Sequence, residues 1–132
     1  MPATLTVRDE TASGKVSNEF PLEFPTERIT VRELIRARVY QEVQDYNVRR
    51  RQESAEFRGL VVPGDAERTA NGVRTHRDID WKKQFDKAVE AFQRNGFFVL
   101  VGDRQSESLD EELDVSRETV VSFVKLTPLV GG

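Results

Sequence analysis

Apolar and polar residues alternate at the start of the chain. Leu5 and Val7 punctuate Thr4 to Arg8, and Phe20, Leu22 and Phe24 do the same further on. A period of two marks half-buried strands, so these segments predict an antiparallel hairpin with a rather long polar connection containing Gly14. Pro21 has no N–H to give a ladder, which predicts a sheet edge for the second strand. The period then changes. Leu34, Ile35, Val39, Val43 and Tyr46 recur at helical spacing behind Thr30, a capping residue. Glu33 completes a capping box and Ile29 can staple onto Leu34, so a helix is predicted over about residues 31–46.

From 47 to about 77 the periodicity is lost. Gly59, Pro63, Gly64, Asn71 and Gly72 are scattered among charges, with Phe57 and Leu60 to Val62 as material for one short strand. So long a loop is uncommon in a compact domain and predicts either an ordered excursion or a mobile functional loop. A second helix is predicted from Asp78 or Asp80 to Asn95-Gly96. Its apolar stripe of Trp81, Phe85, Ala88, Val89 and Phe92 should pack on a sheet. Phe97 to Val101 is a continuous apolar run closed by Gly102-Asp103, as an interior strand would be. Ser108 to Leu113 suits a short helical turn, and Thr119 to Leu126 a last strand. The expected organisation is one domain over 1–132, an insertion at about 47–96 and a flexible tail at about 127–132.

Composition narrows the classes. With 132 residues and eight Phe, the chain can bury a core without covalent staples. The absence of Cys excludes disulfides, thiolate catalysis, Cys-ligated zinc and iron–sulfur clusters. No basic region followed by an apolar run opens the chain, and no stretch of eighteen apolar residues occurs, so a cytoplasmic protein without membrane partners is expected. A net charge of −3 argues against a nucleic-acid partner, which requires a basic field.

Candidate chemistry is sparse. His76 is the sole histidine and has no motif around it to make a ligand or base, so it reads as a loop residue and no metal is expected. Asp110, Glu111 and Glu112 are adjacent rather than facing, and read as solvated. Arg49-Arg50-Arg51 reads as a solvated helix end, where cations favour the negative end of the dipole. Trp81 has the spacing of a core residue before that of an interface anchor. No phosphate-cradling GxxxxGK[ST] run occurs, so no bound cofactor and no catalytic residue are expected. Lysines are few: Lys15, Lys82, Lys83, Lys87 and Lys125.

The last third, from Phe98-Val99-Leu100-Val101-Gly102-Asp103-Arg104-Gln105 through Ser108-Leu109 to Leu113-Asp114-Val115-Ser116-Arg117-Glu118-Thr119-Val120, resembles ubiquitin. The hairpin leading into a Thr-capped helix resembles it too. The likeness covers about two thirds of the chain, residues 47–96 departing from it. It implies an α+β, ubiquitin-like β-grasp fold: a mixed sheet of four to five strands packed on a central helix, elaborated by a long loop and a second helix. Ferredoxins share that architecture, but their cluster needs Cys.

The resemblance also gives meaning to Leu129-Val130-Gly131-Gly132. Glycine has no Cβ, so such a segment can enter narrow clefts. Pro128 fixes its own φ and pushes Thr127 towards extended geometry. The resemblance implies a protein modifier and not an enzyme, attached through the Gly132 carboxylate, with Leu129, Val130 and Gly131 read by its processing enzymes. Its partners would be an ATP-using activating enzyme, a conjugating enzyme, a deconjugating protease and protein targets. Bacterial ubiquitin-like conjugation systems are one setting that the likeness allows. Sulfur carriers with a C-terminal thiocarboxylate and non-conjugated β-grasp binding modules are the alternatives. By position and alternation, Phe97, Val99 and Val124 are the expected partner patch, with ordinary core under the second helix as the competing reading.

Overall fold

The computed structural model describes residues 2–52, 57–64, 66–69, 72–75 and 77–126. Its elements are β1 Ala3–Thr11, β2 Val16–Phe24, β3 Arg28–Thr30, α1 Val31–Gln52, β4 Glu67–Thr69, β5 Gly72–Arg74, α2 Trp81–Gln93, β6 Phe97–Val101, β7 Arg104–Ser106, β8 Glu112–Asp114 and β9 Val120–Lys125. The fold is α+β with two helices and a five-stranded mixed sheet ordered β2-β1-β9-β6-β7. β1 and β9 run parallel at its centre, and the other neighbours are antiparallel. The chain groups into two compact units, one of residues 1–34 and 91 onward and one of residues 35–90. The second unit therefore takes most of α1 as well as much of the expected insertion.

In the first unit, side chains on one sheet face are sealed from water. Leu5, Val7, Val99, Val121 and Phe123 are each at most 1 % exposed, and burial of each such side chain contributes roughly 1.5–3 kcal/mol. The hairpin is tighter than expected. Its strands reach Thr11 and Val16, leaving a short turn in which Gly14 takes φ +88° and donates to the Thr11 carbonyl at 2.9 Å. Hydrophobic alternation reports burial and not pairing, so it misses the outer strand ends, where the Arg8–Glu19 ion pair stands in for apolar contact.

β2 is an edge strand, as Pro21 predicts. Pro21 lies opposite Thr6, whose N–H turns away from β2 to the Thr119 carbonyl at 3.0 Å. The two therefore form a non-hydrogen-bonded pair, and the missing N–H of Pro21 faces off the sheet.

The capping box forms as read. Glu33 N–H donates to Thr30 Oγ1 at 3.1 Å, and the Glu33 carboxylate accepts from Thr30 N–H at 3.3 Å. The next free donors of the helix, Val31 and Arg32 N–H, reach the Glu111 and Leu109 carbonyls. The helix outruns its apolar stripe by six residues, ending at Gln52 instead of Tyr46. In the second unit polar contacts sustain this extension: the Asn47 amide bonds both backbone groups of Ile79, and Arg50 pairs with Asp78 at 2.6 Å.

In the stretch where periodicity is lost, the described residues form local structure. Phe57 exchanges both backbone bonds with Val73 of the small β4–β5 hairpin, while Leu60 to Val62 form no strand. Side chains hold that stretch instead: Gln84 donates to the Val61 carbonyl and Glu42 accepts the Leu60 N–H. A Cβ at residue 72 would lie 2.7 Å from the Phe57 carbonyl oxygen, so Gly72 permits the close approach.

Asp80 caps α2 through the Lys82 N–H at 2.9 Å. The helix stops in a Schellman motif, Gly96 N–H to the Ala91 carbonyl at 2.7 Å and Asn95 N–H to that of Phe92, with Asn95 at φ +59°. Sequence periodicity misses β3, β7 and β8, each three residues long. The expected helical turn at 108–113 is a single turn, Glu111 N–H to the Ser108 carbonyl, running into β8.

Candidate partner surface

The sheet register decides which side chains share a face. Val99 pairs with Phe123 and Phe98 with Val124, so Val124 belongs with Phe98 and Leu100, on the face opposite Phe97 and Val99. Phe97 is 3 % and Val99 0 % exposed. The Phe97 ring lies between Phe92, at a centroid separation of 5.9 Å, and Phe123 at 6.0 Å. Phe97, Val99 and Val124 are therefore not one exposed patch: the first two are core, and Val124 lies on the outward face. A shift of one residue along a strand moves every side chain to the other face, and positional likeness to another sequence does not fix that phase.

The outward face has its own pattern. Phe98 lies beside Val124 and Glu10; Leu100 lies beside Ser122 and then Arg8; Val120 lies beside Thr6 and then Pro21. Phe98, Leu100, Val120 and Val124 are half-buried, forming an apolar strip across β6 and β9. Arg8 is neutralised by Glu19 at 2.7 Å, and toward the β2 side Glu10 and Glu23 have no cationic partner among the described residues.

Next to Val120 the sheet end opens into a depression of about 430 Å³ lined by Arg28, Gly102, Arg104, Glu112, Asp114 and Glu118 among others. Its charges answer one another: Arg28 meets Glu112 at 3.3 Å and Asp114 at 3.8 Å, all well exposed. Glu111 is not simply solvated. Its carboxylate accepts from Ser106 at 2.8 Å and pairs with Arg104 at 3.2 Å, fastening β7 to the turn before β8. Among the described residues no cluster of His, Cys, Asp or Glu is placed to hold a metal ion, and no helix is long and apolar enough to cross a membrane.

Lys125 Nζ lies 3.5 Å from the buried Asp9 carboxylate, and Lys87 donates to the Val62 carbonyl at 3.2 Å, whereas Lys15, Lys82 and Lys83 are exposed without such contacts among the described residues. Trp81 is only half-buried, a departure from the core position its spacing suggests. The tail residues Leu129, Val130, Gly131 and Gly132, and also His76, lie outside the described residues. Comparison with protein-family models, curated proteins and solved structures finds no match to this chain.

Proposed function

We propose that this chain is a ubiquitin-like modifier of β-grasp fold, activated at the Gly132 carboxylate and conjugated to target proteins. One observation carries the reading: the sheet order β2-β1-β9-β6-β7, in which β9 lies centrally and parallel to β1 and is followed in the sequence by Pro128-Leu129-Val130-Gly131-Gly132. A central last strand gives such a segment a rigid base, and glycines give it narrow-cleft access. The Gly131-Gly132 pair would be presented either as translated or after trimming of a longer precursor.

In this reading the protein is a substrate. The Gly132 carboxylate attacks the α-phosphorus of ATP on an activating enzyme and releases pyrophosphate. An enzyme thiolate then displaces AMP to form a thioester, and a target amine displaces the thiol to leave an amide. The apolar strip of Phe98, Leu100, Val120 and Val124 supplies a non-covalent docking face for the enzymes that handle the chain. No nucleic-acid, membrane or cofactor partner enters this scheme.

Mass spectrometry of the N-terminally tagged protein, recovered under denaturing conditions from its native host, tests it. Branched peptides joining the Gly132 end to another protein are the expected result. Exchange of one terminal oxygen for sulfur would replace the modifier with a sulfur carrier, and an unmodified end throughout would leave a binding module.

A further inference from the structure

Within the second unit, Tyr40 and Trp81 meet edge to face, with ring centroids 5.2 Å apart and planes at 75°. The Arg36 guanidinium carbon sits 5.1 Å from the Trp81 ring centroid. Tyr40 is 43 % exposed, and its hydroxyl accepts from Gln44 Nε2 at 3.1 Å, which holds the ring in place. Arg36 is exposed, and among the described residues no carboxylate pairs with it. Two large rings and a stacked cation on a water-facing surface combine the residue types that anchor interfaces.

Charge selects the occupant. Residues 35–90 carry twelve Lys and Arg against ten Asp and Glu, whereas the remainder carries eight against thirteen. The second unit is the basic part of an acidic chain. Lys82 and Lys83 follow Trp81 directly, both exposed and without a carboxylate partner among the described residues. Asp80 is committed to capping the Lys82 and Lys83 N–H groups, and Asp86 lies one turn further along α2. A guanidinium held over an aromatic face keeps N–H groups at its rim, in the fork that fits a carboxylate.

We propose that the Arg36–Tyr40–Trp81 cluster docks an acidic segment of a partner protein, a carboxylate seated on Arg36 and an apolar neighbour against the two rings. The site does not depend on conjugation through Gly132. Trp81 is the sole tryptophan of the chain, so its emission reports occupancy directly.

The experiment titrates the full chain with a short Glu/Leu peptide and with its Lys/Leu counterpart, following Trp81 emission. A saturable change with the Glu/Leu peptide alone, weakened by salt, is expected. Arg36→Gln should reduce the affinity at least about tenfold and Arg36→Lys less, since a point charge keeps attraction but loses the fork. Circular dichroism unchanged in both variants shows that they fold. No saturable change, an equal response to the Lys/Leu peptide, or full affinity in Arg36→Gln would each overturn the proposal. Concentration-dependent emission of the protein alone, with dimer in sedimentation, would replace the separate partner with a second copy. A variant lacking Gly131 and Gly132 should bind the peptide unchanged, which separates failure of this site from failure of the modifier reading.

Discussion

The side-chain amide of Asn47 pairs with the backbone of Ile79 much as one strand pairs with another. Its Nδ2 donates to the Ile79 carbonyl at 3.0 Å and its Oδ1 accepts the Ile79 N–H at 2.8 Å. Both residues are buried, so no water replaces a lost bond cheaply. Asn47→Ala should destabilise the second unit by about 2–4 kcal/mol, because two buried backbone groups are left unpaired. Urea unfolding measures the loss, and faster hydrogen exchange at the Ile79 amide locates it.

The start of α1 offers a smaller and cleaner test. Thr30→Ala removes the hydroxyl that accepts the Glu33 N–H, and should lower stability by about 1 kcal/mol. Thr30→Ser keeps the acceptor and should lose much less. Thermal denaturation of the two variants side by side gives the comparison.

Adjacent residues on β6 should behave oppositely. Val99→Ala opens space in the core and should cost about 2 kcal/mol in denaturant unfolding. Leu100→Ser, on the outward face, should cost about 1 kcal/mol or less, and under the proposed modifier function it should weaken capture by an activating enzyme in a pull-down. If Leu100→Ser were the more destabilising of the two, the facing of β6 would be reversed.

Asn95 is the non-glycine residue with positive φ among the described residues. Asn95→Gly should be neutral or slightly stabilising, since glycine accepts that conformation freely. Asn95→Val should cost about 1–2 kcal/mol or more, from the clash of a branched Cβ in the left-handed region. Melting temperatures of the pair test both signs.

Where local physics is strong, the chain announces its own structure. Thr30 and Glu33, Asp80, Asn95-Gly96 and Pro21 each act through one or two nearby backbone groups, and each does in the structure what its chemistry suggests. Less legible were elements held by distant polar partners. The last turns of α1 depend on Asn47 meeting Ile79 and Arg50 meeting Asp78, about thirty positions away. The paired strands β4 and β5 carry one apolar residue between them, the buried Val73, so no apolar alternation marks them. Which strand face each side chain takes was not legible: Val124 faces outward, while Phe97 and Val99 face in, because five apolar residues in a row carry no phase. Trp81 sat on the right stripe, but as the first residue of α2, where it is only half-buried.

The pairing of Pro21 with Thr6 has a consequence for association. A free sheet rim invites a neighbouring molecule to add its own strand, and from there fibres or strand-exchanged dimers can grow. Here an incoming strand would find a gap in the middle of its run, flanked by the carboxylates of Glu19 and Glu23 two residues to either side. The far rim, β7, offers three residues. Growth of the five-stranded sheet by strand addition is thus obstructed on one side and short on the other.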